Sequence, residues 1–174
     1  MTLTGEKADI LRMLADQRTN FSYTVRGITD EQATRRTTVS ELTLGGLLNH
    51  VVNNERSWIT VIAEMDENAQ FDLSRMDTEY VMSPGQTVAG LLAEYRDVAK
   101  ATEAAVADMH LDAQVPLPTA PWAPERTYQS ARSTLLHILR ETAQHAGHAD
   151  IIRESLDGAN TTAQLAGAGV EPAE

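Results

Sequence analysis

The chain has 174 residues and carries 25 acidic against 14 basic side chains, a formal net charge of −11, with five His and no Cys. That length indicates one domain able to bury roughly 70% of its unfolded surface, and 42% apolar with 22% charged residues is the make-up of a folded globular chain. The missing Cys excludes disulfides, thiolate zinc sites, iron–sulfur clusters and an internal thiol nucleophile, while the acidity and the scattered 12 Arg and 2 Lys argue against nucleic acid, which needs a clustered basic face.

The first residues, Met1 to Lys7, lack the basic-then-apolar layout of a signal peptide. No apolar run approaches the roughly 18 residues of a membrane helix, so a cytoplasmic protein is expected. A first helix is predicted from about Gly5 to Val25, with Thr4 as its cap and Ile10, Met13, Leu14, Phe21 and Val25 at helical spacing. Ile28-Thr29-Asp30-Glu31 reads as a cap opening one short extra turn. A second long helix is expected over Leu42 to Met65, through Leu44, Leu47, Leu48, Val51, Trp58 and Ile62. Ser83-Pro84-Gly85 breaks the chain, and a third helix follows to about Met109 through Val88, Leu91, Leu92, Tyr95, Val98 and Val106.

Four of the six Pro fall between Pro116 and Pro124, so that stretch reads as a loop. Trp122 within it is either part of a substrate lid or a solvent-facing linker residue. The fourth helix is predicted from near Ser130 to Asp157, with Gly158 as its stop. Ala159 to Glu174 are small and polar and read as a poorly ordered tail. No segment shows sustained β alternation. Four long helices with a short first linker therefore indicate an all-α four-helix bundle over residues 1–158.

Polar residues that break the apolar pattern stand on two of these helices. With His137 at 0° and about 100° per residue, Glu141, His145 and His148 fall at about 40°, 80° and 20°, among Ile138 and Ile152 on the inward stripe. A carboxylate and an imidazole on a buried face cost several kcal/mol, on the order of a lost pairing each, unless paired or metal-bound. Facing helices of a bundle present adjacent metal ligands in this way. Spacing alone leaves open the simpler reading, a Glu141–His145 hydrogen bond or a solvated pair at the rim. His137 by itself reads as a solvated or satisfied histidine, and His110 as exposed. On the second helix His50 flanks the apolar arc, with Asn54 beside it and Glu55 inside it. An imidazole from that helix would complete a His, Glu, His set, the pattern of an open zinc site with water in fourth position. Gly45-Gly46 weaken an exposed helix by about 1 kcal/mol each. They mark either a close backbone approach near the site or a slightly late helix start.

Leu44-Gly-Gly-Leu-Leu-Asn-His50-Val-Val-Asn-Asn-Glu55-Arg-Ser-Trp58 resembles the helix-2 motif of the DinB superfamily, which is unrelated to the DNA polymerase of that name. Leu136-His137, Glu141-Thr-Ala-Gln-His145-Ala-Gly-His148-Ala-Asp150 and Arg153-Glu154-Ser-Leu-Asp157-Gly158 resemble the helix-4 motif of its subgroup known as a domain of unknown function. The resemblance covers roughly Gly5 to Gly158 and implies a metal-binding four-helix bundle. Members are often dimeric, so a homodimer is among the implied partners. Many members use three His, two of them spaced i,i+4 on the last helix. Here Glu141 stands where those have the earlier His, a departure that resembles the mycothiol-dependent maleylpyruvate isomerase and mycothiol S-transferase branch. Carried over residue by residue, the implied ligands are His50, Glu141 and His145, with His148 outside the set. The implied cofactor is Zn²⁺, with Ni²⁺ also suited to imidazole and carboxylate. A low-molecular-weight thiol such as mycothiol is the implied cosubstrate, made a thiolate by coordination and set against an electrophile. Glu55 and Asn54 are candidates for orienting His50 or a bound water. A metal-dependent hydrolase and a non-catalytic metal- or small-ligand-binding module remain as alternatives.

Overall fold

In a computed structural model, which describes residues 4–167, the chain is an all-α bundle. The long helices are α1 (Glu6–Thr24), α3 (Leu44–Glu64), α4 (Val88–Asp108) and α5 (Ala131–Asp157), with a short α2 (Asp30–Ala33) after α1. Their ends follow the local chemistry. Thr29 and Gln32 cap α2 reciprocally, and the hydroxyls of Thr43, Thr87 and Ser130 accept from the third residue of α3, α4 and α5. Gly158 ends α5 in the left-handed conformation at φ 79°. One cap differs from expectation. Gly5, at φ 69°, and not Thr4, precedes α1, and no side chain caps it.

Two apolar clusters fill the bundle. One holds Phe21, Leu47, Leu48, Val52, Leu91, Val98 and Ile152. The other holds Leu14, Ile59, Ile62, Val106, Leu135 and Ile138. The early part of α3 thus shares a cluster with the late part of α5, and the late part of α3 with the early part of α5, so the two helices run antiparallel. Between the clusters lies one polar level, where Arg18 of α1, Glu55 of α3, Thr102 of α4 and Thr142 of α5 are all buried.

The Pro-rich connection contains a short antiparallel pair, β1 (Gln114–Pro116) with β2 (Tyr128–Ser130), in register Gln114 to Ser130. Three residues are too few for alternation to be visible, and Pro116 closes the first strand. This connection is tied to the loop after α3, since the Phe71 amide donates to Thr119 O at 2.9 Å. Trp122 is 61% exposed and packs edge-on against Phe71. It therefore sits at the end of the bundle where α3 finishes.

The expected poorly ordered tail needs correction over its described part. Thr161–Leu165 form a helical turn, α6, capped by Asn160. Ala159 is buried, and Asp150 accepts from both the amide and the hydroxyl of Thr161 at 2.8 Å. Small polar residues are held here by specific hydrogen bonds, not by apolar bulk, so composition hid the order. Residues 168–174 of that expected tail lie outside the described residues.

Candidate metal centre

His50 lies in the second turn of α3, and Glu141 and His145 lie one turn apart near the middle of α5. Antiparallel packing of α3 and α5 brings the three together. Glu141 Oε2 is 3.9 Å from His50 Nε2 and 3.7 Å from His145 Nε2. One ligand atom from each residue falls in a group no wider than 4.8 Å. Tetrahedral zinc with bonds of about 2.0–2.1 Å holds its ligand atoms about 3.4 Å apart, close to the two Glu141 separations, and side-chain rotation would draw in the widest pair.

The electrostatics suit a cation. His50 is 2% exposed, and neither ring nitrogen has a hydrogen-bond partner. An orphaned buried imidazole of this kind costs on the order of 1–3 kcal/mol, and a metal ion would relieve it. Burial, then the neighbouring His145, push the His50 pKa down to about 4 against the opposing pull of Glu141, so the ring is a neutral donor. Burial and His148 likewise lower that of His145. Burial opposes the charge of Glu141, but the Arg140 hydrogen bond, with His137 and His145, outweighs it and holds the carboxyl below its ordinary value. Two neutral imidazoles and one carboxylate make a donor set suited to Zn²⁺.

The two oxygens of Glu141 divide their work. Oε2 faces His50 and His145, while Oε1 accepts from Arg140 Nη2 at 3.0 Å and lies 3.9 Å from His137 Nε2. A model of the mycothiol-S-transferase family matches residues 9–158, a span that contains both helices of the cluster. The chain belongs to the mycothiol S-transferase family. No curated protein and no solved structure matches it.

For this family member the site residues expected from sequence divide into two groups. His50, Glu141 and His145 converge. His148 stands behind them, its Nδ1 3.3 Å from His145 Nδ1. His137 is held elsewhere, by Arg140 at 2.8 Å and by the edge of Trp58 at 4.9 Å between ring centroids. His110 is exposed.

Glu55 is bonded away from His50. Its carboxylate is fully buried and takes two bonds from Arg18, at 2.5 and 3.0 Å, and one from Thr102 at 2.5 Å. Asn54 is half-buried beside it. With both ring nitrogens of His50 unpartnered, neither Glu55 nor Asn54 orients that ring. Glu55 belongs to the polar level of the bundle, and the sequence signal for this was Arg18, a charge on the inward stripe of α1 between Leu14 and Phe21.

Two residues beside the cluster were missed, Glu79 and Tyr80. Tyr80 stacks on His50 at 4.2 Å between centroids and 18° between planes, so it walls one side of the site. Glu79 Oε1 lies 3.1 Å from His50 Nδ1, close enough for a hydrogen bond but not aligned for one. Burial raises the pKa of both. They lie on an irregular segment after the 3₁₀ turn Leu73–Thr78, where no periodicity marks a face. Their trace in the sequence was Gly45-Gly46. A Cβ on Gly46 would fall 2.0 Å from Tyr80 O, and one on Gly45 would fall 2.6 Å from Met82 Sδ. The glycines stand in the first turn of α3 and admit this close approach.

Proposed function

We propose that the protein is a zinc-dependent thiol S-transferase that uses a low-molecular-weight thiol, mycothiol first among them, in the reducing interior of the cell. The observation that carries this reading is the buried His50 ring, whose unpartnered nitrogens sit beside Glu141 and His145 in a chain of this family. His50, Glu141 and His145 would hold Zn²⁺ and leave one position open. The ion would supply a binding point for sulfur at which a thiol loses its proton near neutral pH.

The chain's own residues do the rest. Neutral His50 and His145 give two uncharged donors, and Glu141 supplies one negative charge. Together they would leave a bound Zn²⁺ with net positive charge, which would favour an anionic sulfur ligand. Arg140 and His137 keep Glu141 ionised through its other oxygen. The face of Tyr80 covers His50 and shields that side from water. In the transfer itself the thiolate sulfur forms a bond to an electrophilic carbon of the second substrate. The leaving group departs with its bonding pair, and the thiol proton goes to solvent. With no Cys in the chain, the sulfur must come from the cosubstrate.

The test is adduct formation from an alkylating electrophile with mycothiol, bacillithiol or glutathione, on zinc-loaded and chelated protein. Turnover should need both zinc and thiol, with mycothiol preferred. Turnover with water alone would replace this reading by metal-dependent hydrolysis, and zinc binding without turnover of any thiol by a binding module.

A further inference from the structure

A metal on His50 Nε2, the nitrogen that faces Glu141, leaves the ring proton on Nδ1, because a neutral imidazole carries only one. That N–H is buried, and a buried donor requires an acceptor. The carboxylate 3.1 Å away belongs to Glu79. Its terminal torsion is broad and soft, so a small rotation aligns the bond.

The backbone that carries Glu79 is fastened to α3 beside the ring it serves. Asn49, one residue before His50 and almost fully buried, donates through Nδ2 to Val81 O at 3.0 Å and to Glu79 O at 3.5 Å. Its Oδ1 accepts from Gln86 Nε2 at 3.0 Å and from Asn53 Nδ2 at 2.9 Å. Gln86 in turn accepts from the Ser83 amide at 2.7 Å. Both ends of the Asn49 amide are thus spent on holding residues 79–86 against the helix.

We propose that Glu79 is the positioning residue for His50, holding its Nδ1–H so that Nε2 points to the metal, and that Asn49 is the clamp that delivers it. This rests on the metal-centre reading above. Tyr80 sets the plane of the ring by stacking, and Glu79 sets its tautomer. Loss of such an outer hydrogen bond typically weakens metal binding about 10–100-fold.

The test is zinc affinity measured by competition with a chromogenic chelator, alongside ¹⁵N NMR of the histidine ring nitrogens in the zinc-loaded protein. Glu79→Ala should weaken zinc about 10–100-fold and shift the His50 Nδ1 resonance. Glu79→Gln keeps an acceptor oxygen and should stay within about tenfold of the natural chain. Asn49→Ala should weaken zinc in the same direction as Glu79→Ala. His50→Ala should abolish binding. Natural zinc affinity in Glu79→Ala, with His50→Ala unable to bind, would overturn the role of Glu79 alone. Equal losses in Glu79→Ala and Glu79→Gln would also overturn it. Zinc retained by His50→Ala would instead overturn the metal centre on which it rests.

Discussion

Glu55 and Glu141 are both carboxylates on inward helix faces, and their partners decide what each one does. Glu55 meets Arg18, itself 8% exposed, in a two-pronged ion pair. Removing one member of such a pair strands the other charge in the core. Glu55→Ala is therefore expected to cost about 3–5 kcal/mol in urea unfolding and to leave zinc affinity unchanged in the folded fraction. Zinc loss from folded Glu55→Ala would contradict its assignment to the core. Helical periodicity showed that Glu55 faces inward. It carries no record of what another helix sets opposite, and so the inward charge of Arg18 was a signal on α1 that nothing in the sequence paired with Glu55, 37 residues away. Glu141 was legible because its i,i+4 partner is on the same helix.

His50 makes a second test at this scale. Its folded pKa of about 4 lies below the ordinary 6.5 of the unfolded chain, so the unfolded state takes up the proton first. In chelated protein the stability should fall as pH drops from about 6.5 towards 4, with a slope of at most about 1.4 kcal/mol per unit from this group. Thermal unfolding across that range, compared with His50→Ala, measures it. A slope unaltered in the variant would mean that the buried ring is not the group responsible.

At the scale of elements, the four long helices were readable because each carries its own apolar stripe and three begin at Thr or Ser caps. The segment between α3 and α4 was not, because residues 79–82 are held by contacts to α3 with no pattern of their own. Two glycines separate these cases. Gly147 lies exposed within α5, and nothing is near a Cβ placed there. Gly147→Ala should stabilise by roughly 0.5–1 kcal/mol through helix propensity alone. Gly46→Ala gains the same propensity but would drive a Cβ into the Tyr80 carbonyl. It should destabilise the fold and weaken zinc, since Tyr80 and Glu79 must retreat from His50. Urea unfolding and chelator competition on the two variants check the contrast. A stabilised, fully zinc-competent Gly46→Ala would show that the 79–82 segment does not depend on that approach.

For the whole molecule, the polar level formed by Arg18, Glu55, Thr102 and Thr142 divides the core, and Glu141 and His145 of the His, Glu, His cluster flank Thr142 on α5. A cation there would join α3 to α5 where apolar contact is interrupted. Zinc should accordingly raise the unfolding temperature in a concentration-dependent way, and chelation should reverse it. Glu141→Gln preserves side-chain volume but supplies a neutral amide, a poor zinc ligand. It should blunt that rise, and an undiminished zinc shift would contradict a ligand role for Glu141. Among the described residues no helix is long and apolar enough to cross a membrane, in keeping with the reading from hydropathy. The bundle was legible as a whole because it is built from local periodicity. The polar level and the described part of the C-terminal tail were not, because both depend on contacts between distant parts of the chain.

The most direct test of the central claim is zinc content per chain, measured by elemental analysis after equilibration and desalting, in the natural chain, His145→Ala and His137→Ala. Both histidines lie on one side of α5, yet only His145 shares the cluster with His50 and Glu141. About one zinc ion per chain is expected in the natural protein and in His137→Ala, and none in His145→Ala. Equal zinc in the two variants, whether kept or lost, would contradict the assignment.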